Sequence, residues 1–299
     1  MRDHDFAPRR RDVLKAAAAL AAAAFPLNWL RAADVPPVRK ILFFTKSAGF
    51  EHDVIKRPSP EVLAYAEQIL IELGKQHGYD VTATKDGGYF TPEKLAAFDA
   101  VVFYTTGDLT TPGKDGQPPM PADGEQTLIK WVESGKGFLG IHSADDTFLT
   151  QPGEPIHPYI KMIGAEFDKH GKQQNAKITA ADKNFGPIKD LQDFELFEEW
   201  YKVKNLSPDL HVILVQETQS MAAPEYRERA PYPETWARTQ GKGRIFYTSL
   251  GHREDVWKNP IFEQVVLGGL AWVTGNADAD TTPNLSVATP GAMGSVRKD

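Results

Sequence analysis

Lys40 to Phe44 (KILFF) is apolar after its first residue and follows a proline-containing linker, the pattern of a buried parallel strand rather than an amphipathic one. From Ser59 and Pro60 the period changes. Val62, Leu63, Ala66, Ile69, Leu70 and Leu73 recur at helical spacing and predict a helix that ends near Gly78. Tyr79 to Thr84 reads as a second strand and Asp99 to Tyr104 (DAVVFY) as a third, whose polar continuation Thr105 to Asp108 suits a loop at a strand's carboxyl end. A Gly/Pro-rich loop, Pro112 to Pro121, precedes a helical pattern from Gly124 to Ser134, and Gly137 to Ile141 (GFLGI) is a fourth strand that stops at His142.

Strands alternating with helices at these intervals predict an α/β fold, a doubly wound and mostly parallel sheet of flavodoxin-like type, because parallel neighbours need crossover connections. After residue 172 the pattern differs. Ala176 to Ala180, Phe194 to Val203 and His211 to Glu217 read as strands with no long helix between the last two. Thr235 to Thr239 and Arg244 to Ser249, joined across Gln240 to Gly243 (QGKG), read as a hairpin, which predicts an antiparallel extension near the C-terminus. The run Gly241 to Arg244 (GKGR) has no helix after it, so it is a turn rather than a phosphate loop. A helix from Pro260 to Val273 closes the domain at residues 36–275, and residues 276–299 form a polar tail with little to bury.

The N-terminus carries a different signal. Arg9, Arg10 and Arg11 lead into Asp12, Val13, Leu14 and Lys15, and RRDVLK has the form of a twin-arginine signal. The alanine-rich stretch from Ala16 to Phe25 is too short for a bilayer span, which takes about 20 apolar residues, but suits the apolar region of a signal peptide. Residues 1–35 are therefore expected to be a signal peptide and linker, and the protein to be periplasmic or otherwise exported. No membrane insertion is expected beyond that segment. Without residues 1–33 the chain keeps 28 basic and 37 acidic side chains, a formal charge of −9 against −6 for the whole. An acidic body repels phosphate backbones, so nucleic acid is a poor candidate partner. The absence of cysteine excludes disulfides, thiolate metal ligands and a cysteine nucleophile.

In open α/β sheets ligands bind beyond the carboxyl ends of the strands, which singles out four segments. They are Thr45 to Asp53, Thr105 to Asp108, His142 to Asp146 and Ser249 to Glu254. Gly140 to Ala144 (GIHSA) has the form of the tight elbow on which α/β enzymes present a nucleophile, with His142 at the elbow position. A histidine there can be a general base, a proton shuttle, a metal ligand or a residue satisfied by its own turn. Ser143 as a hydrolytic nucleophile would need to stand where His142 does. His157 and His170 flank the loop that leaves the elbow and read as structural or solvated, with His170, before Gly171, also able to reach the rim; His77 and His211 read as surface residues. Phe50, Tyr104, Trp200, Tyr201 and Trp236 are rings near the rim on which a sugar's C–H face can stack, with Trp236 read as core and Phe148 ambiguous.

In order along residues 39–275, the chain carries ILFFTKSAGFEHD, FDAVVFYTTGD, WVESGKGFLGIHSADDTF, EEWY at Glu198 to Tyr201, TWARTQGKGRIFYTSLGHREDVW and a terminal GGLAWVTG. This ordered set resembles the ThuA (trehalose-utilisation) family, whose fold is of the class I glutamine-amidotransferase type. The resemblance implies carbohydrate work on disaccharides or their keto derivatives, with a small-molecule carbohydrate as partner. Cysteine stands at the elbow of true amidotransferases, so His142 argues against glutamine hydrolysis. Carried over position by position, the family's polar residues fall on His52, His142, Asp145, Glu199 and His252; Glu198 departs from the usual aspartate.

Three imidazoles from distant stretches with Glu199 can hold zinc or another divalent ion, with Asp53 or Asp145 orienting the rings. Metal-free acid/base work by His142, Glu199, His252 and His52 on a sugar is the other chemistry. Phe50, Tyr104, Asp108, Asp145 and Tyr201 are the candidate substrate contacts. A non-catalytic sugar-binding or interaction domain on the same fold is the alternative function. The oligomeric state has no signature in the sequence.

Overall fold

A computed structural model describes residues 38–227 and 231–297. The expected signal peptide lies outside the described residues. In chain order the elements are β1 (Arg39–Phe44), α1 (Tyr65–Gln76), β2 (Tyr79–Thr84), α2 (Pro92–Leu95), β3 (Ala100–Phe103), α3 (Gly124–Glu133) and β4 (Gly137–Ile141). They continue with α4 (Pro158–Ile163), β5 (Glu166–His170), β6 (Gln174–Ala180), β7 (Phe194–Glu198), β8 (Tyr201–Lys204) and β9 (His211–Glu217). The hairpin β10 (Tyr232–Gln240) and β11 (Gly243–Thr248), then α5 (Pro260–Val273) and α6 (Leu285–Ala288), complete the order.

Nine of these strands form one sheet in the order β2-β1-β3-β4-β11-β10-β9-β6-β7, and β5 pairs with β8 separately. From β2 to β11 neighbours run parallel, and from β11 to β7 they run antiparallel. This is the α/β fold with a parallel sheet and an antiparallel extension that the sequence predicted. The period-2 geometry of a strand sends Ile41 and Phe43 to one face and Leu42 and Phe44 to the other, and all four are fully buried. One face packs with Leu70 of α1 and Leu270 of α5; the other packs with Leu128 of α3 and Ile160 of α4. β3, β4 and the Ile41–Phe44 run of β1 are thus apolar because they are covered on both sides, whereas the edge strand β2 is mixed. Gly269 lets α5 settle on this sheet, since a Cβ there would come within 2.6 Å of Phe246 and 2.8 Å of Leu139.

Three details differ from expectation. The helix expected from Ser59 begins at Tyr65, because the Glu67 carboxylate accepts from the Ala64 backbone N–H and so sets the first turn there. The single strand expected from Phe194 to Val203 is broken at Glu199 and Trp200, and its two pieces pair in different sheets. Finally, the tail expected to bury little is docked. Leu285 and Ala292 are buried, and the Asn284 side chain pairs with both backbone groups of Val212 on β9. The tail also covers His211, whose Nδ1 meets the Thr282 carbonyl at 2.8 Å and whose Nε2 meets Asp182 at 3.0 Å. His211 is therefore buried rather than a surface residue; His77 is exposed. No helix among the described residues is long and apolar enough to cross a membrane.

Candidate functional site

β1, β3, β4 and β11 are successive parallel neighbours in the sheet, so the loops that leave their carboxyl ends share one rim. His52 opens a 3-10 turn, Asp53–Ile55, on the loop after β1. His142 leaves β4 with φ +47°, the left-handed backbone that lifts an elbow side chain above the sheet. The preceding Gly140 is required there, because a Cβ would lie 2.9 Å from Tyr247 and 3.1 Å from the Ala144 Cβ. His252 follows β11 after Ser249, Leu250 and Gly251.

Glu199 comes from the break between β7 and β8. One ligating atom from each of His52, His142, Glu199 and His252 lies within 4.8 Å of every other. His142 Nε2 is 3.1 Å from His252 Nδ1 and 3.4 Å from Glu199 Oε2, and His252 Nδ1 is 3.2 Å from the same oxygen. A tetrahedral zinc ion with bonds of about 2.0–2.1 Å sets neighbouring donor atoms about 3.3 Å apart, so these separations fit such an ion. The His52 ring stands edge-on to both others, with centroids 4.9 Å from His142 and 5.2 Å from His252.

Proton positions follow from the partners. His142 Nδ1 donates to the Ser249 carbonyl at 2.7 Å, which leaves its Nε2 lone pair facing the cluster. The Gln173 amide oxygen accepts from Arg253 at 2.9 Å, so its NH2 faces His252 Nε2, also at 2.9 Å. His252 accordingly carries its proton on Nδ1, toward Glu199. Burial and the neighbouring imidazoles push His52 down to about 2, so it stays neutral. Burial opposes the charge on Glu199, but the two imidazoles beside it, His142 and His252, outweigh it and hold the carboxyl well below the usual range. Burial likewise opposes protonation of His252, and the Glu199 hydrogen bond reverses the balance and raises it.

Two buried carboxylates hold the β11 loop from behind. Glu198 Oε1 accepts from the backbone N–H of Gly251 at 2.9 Å and of His252 at 2.7 Å, and its Oε2 accepts from Glu199 N–H at 2.8 Å. Glu234 Oε1 accepts from Leu250 N–H and the Ser249 hydroxyl, both at 3.0 Å. Glu234 reaches this position because β10 is irregular against β9 between Pro233 and Thr235, and a bulge re-aims a side chain. The retained acid at Glu198 is thus a clamp. Glu234 and Gln173 were missed, and no local motif marks either.

The candidate substrate residues divide. Phe50 is 66% exposed with its ring edge-on to His52 at 4.9 Å, at the mouth of an open cleft of about 670 Å³ that also takes in Gln173, His252 and Arg253. Tyr201 lies over His142 with centroids 4.3 Å apart, and Tyr104 packs against His52 and His142, but both are buried, so they shape the cluster from beneath. Asp145 is wholly buried, and burial, against a weaker pull from the Tyr247 hydroxyl, raises it well above the carboxylate range, so it presents no charge to a ligand. Asp108 lines a separate cavity with Glu125 and His157, where His157 stacks on Phe148. Asp53 lines the cleft and is not among the partners of the histidines. His170, read as structural or solvated with the rim in reach, takes the latter course: its Nδ1 is 3.1 Å from Glu199 Oε1. Trp236 is core, as expected, donating to the Ile163 carbonyl.

The family model for ThuA, described as trehalose utilisation, matches residues 40–273. The chain belongs to the ThuA family. No curated protein matches it. Among solved structures it is similar to a putative ThuA-like protein from Bacteroides uniformis, at 18% identity and TM-score 0.59 over 79% of this chain and 91% of that one. A second putative ThuA-like protein, from Parabacteroides merdae, matches at 15% identity and TM-score 0.55 over 80% and 91%. At such identities these likenesses speak for the ThuA fold alone.

Proposed function

We propose that this ThuA-family chain processes a disaccharide or keto-sugar, with His52, His142 and His252 holding a divalent ion such as zinc and Glu199 moving a proton on the sugar. The convergence of the four donor atoms within 4.8 Å is the observation that carries this reading. The donor set suits the ion: His52 stays neutral, Ser249 fixes the His142 ring with its Nε2 lone pair toward the cluster, and His252 would join them once its proton moves from Nδ1 to Nε2 and the Gln173 amide turns its oxygen to that nitrogen. A bound ion supplies Lewis-acid polarisation of a sugar carbonyl or hydroxyl oxygen. Glu199, ionised across the neutral range, is the proton acceptor, and His170, with 45% of its side chain exposed, links it to solvent. Phe50 offers the exposed ring on which a sugar face stacks at the cleft mouth.

The test is metal analysis of the purified chain together with turnover of keto-disaccharides. Wild type is expected to retain about one divalent ion per chain, and His142→Ala to lose more than about 100-fold in metal affinity, beyond the 10–100-fold cost of losing a mere supporting partner. Turnover should fall with it. Unchanged turnover in His142→Ala would refute the site, and sugar binding by wild type without turnover would make the chain a binding domain. Export by the twin-arginine route, read from Arg9 to Lys15, belongs to the same proposal; cell fractionation of a variant with Arg9, Arg10 and Arg11 replaced by lysine should find it in the cytoplasm.

A further inference from the structure

A further cavity, of about 260 Å³, lies on the other side of the loop that carries His52. Its walls include Glu51, Lys56, Arg57, Lys85, Lys114 and Asp115. Glu51 turns into this cavity while the adjacent His52 turns into the imidazole cluster, so the two sites share a loop and no side chain.

The wall has unspent hydrogen-bonding capacity of both signs. Lys85 is 2% exposed, and its ammonium group donates to the Thr45 carbonyl at 2.7 Å and to Glu51 at 3.0 Å. An ammonium has three donors, so one remains. Asp115 accepts with Oδ1 from Lys46 at 2.8 Å and from the Gln117 N–H at 2.9 Å, while its Oδ2 is buried without any partner. A buried donor or acceptor left unmade costs about 1–3 kcal/mol, which favours an occupant that meets both.

Charge selects the kind of occupant. Four cationic side chains line the cavity against two carboxylates. Arg57 is committed to Glu67, to the Pro60 carbonyl and to the Ala83 carbonyl. Lys56 and Lys114 are exposed and, among the described residues, have no ion-pair partner. An occupant must therefore bring negative charge for the lysines and a donor for Asp115 Oδ2. The volume lies below the roughly 300–1,000 Å³ of sites for drug-sized ligands, so the occupant is small.

We infer that this cavity binds a small polyhydroxylated anion, a sugar acid or a sugar phosphate, independently of the imidazole cluster. The experiment is calorimetric titration of the metal-stripped full chain with gluconate, glucose 6-phosphate, inorganic phosphate and glucose. One-to-one binding of gluconate or of glucose 6-phosphate is expected, and which of the two binds tighter identifies the anionic group. Glucose, without charge, and inorganic phosphate, without the polyol, should each bind at least about tenfold more weakly.

The double variant Lys56→Ala/Lys114→Ala changes only exposed side chains and should weaken binding roughly three- to tenfold, with a shallower salt dependence. His142→Ala should bind the anion as wild type does. Four results would each overturn the inference: no binding of either sugar anion at millimolar concentration, glucose binding as tightly, unchanged affinity in the double lysine variant, or loss of binding in His142→Ala.

Discussion

In the parallel half of the sheet the imidazoles follow strand ends directly: His142 leaves β4, His252 follows β11 by four residues, and His52 rides the loop after β1. In the antiparallel half the contributing side chains stand where strands are interrupted, bulged or turned. Glu199 occupies the break between β7 and β8, Glu234 the irregular step in β10, and Gln173 the turn between β5 and β6. The parallel half therefore supplies the lone pairs. The antiparallel half supplies the negative charge and the contacts that fix proton positions and loop shape. A parallel strand ends in a crossover loop at one fixed rim, whereas an antiparallel strand reaches that rim only by a break, bulge or turn.

This division is broken most severely at the clamp. Glu198→Ala leaves three backbone N–H groups behind the His252 loop without their acceptor and should cost roughly 3 kcal/mol or more, read from urea unfolding. A cost within 0.5 kcal/mol of wild type would show that the antiparallel half does not hold the loop. The second break acts through pH. Burial raises Glu234 from 4.5 to about 7, against hydrogen bonds from Thr235 and Ser249. The folded chain thus keeps a proton that the unfolded chain releases above about pH 4.5. The resulting stability is complete below that pH and is lost as pH rises to about 7.

Glu234→Gln removes the titration while keeping an acceptor, so its stability should fall less than that of wild type from pH 5 to 8, by on the order of 2 kcal/mol. Parallel curves for the two proteins would refute the assignment. The smallest effect is expected at Gln173. Gln173→Leu removes the donor that holds the His252 proton on Nδ1 and should raise metal affinity by about tenfold, with no loss of stability in thermal unfolding.

How far the sequence could be read follows the same division. KILFF, DAVVFY and GFLGI are apolar because both their faces are covered, so burial writes them plainly, and the histidines stand where those runs stop. Glu199 was legible only through the EEWY segment and its family resemblance; periodicity carried a single strand straight through it. Glu234 sits inside an apparently regular strand, and the bulge that turns it inward leaves no trace in hydrophobic pattern. The docked tail was hidden for a related reason: Asn284 is held by backbone groups of Val212, a pairing that any polar sequence can make.

Composition and periodicity by themselves determined that the chain is an α/β domain with no cysteine chemistry, and that its polar strand ends gather on one rim. Only the tertiary structure decided which of those residues meet. It removed Asp108 and Asp145 from the cluster, brought in His170, Gln173 and the two buried glutamates, and set the donor atoms a metal ion's width apart. The physical reason is range: local pattern records which side of an element is buried, while a ligand set depends on distances between loops separated by as many as 200 residues, which only the register and bulges of the finished sheet fix.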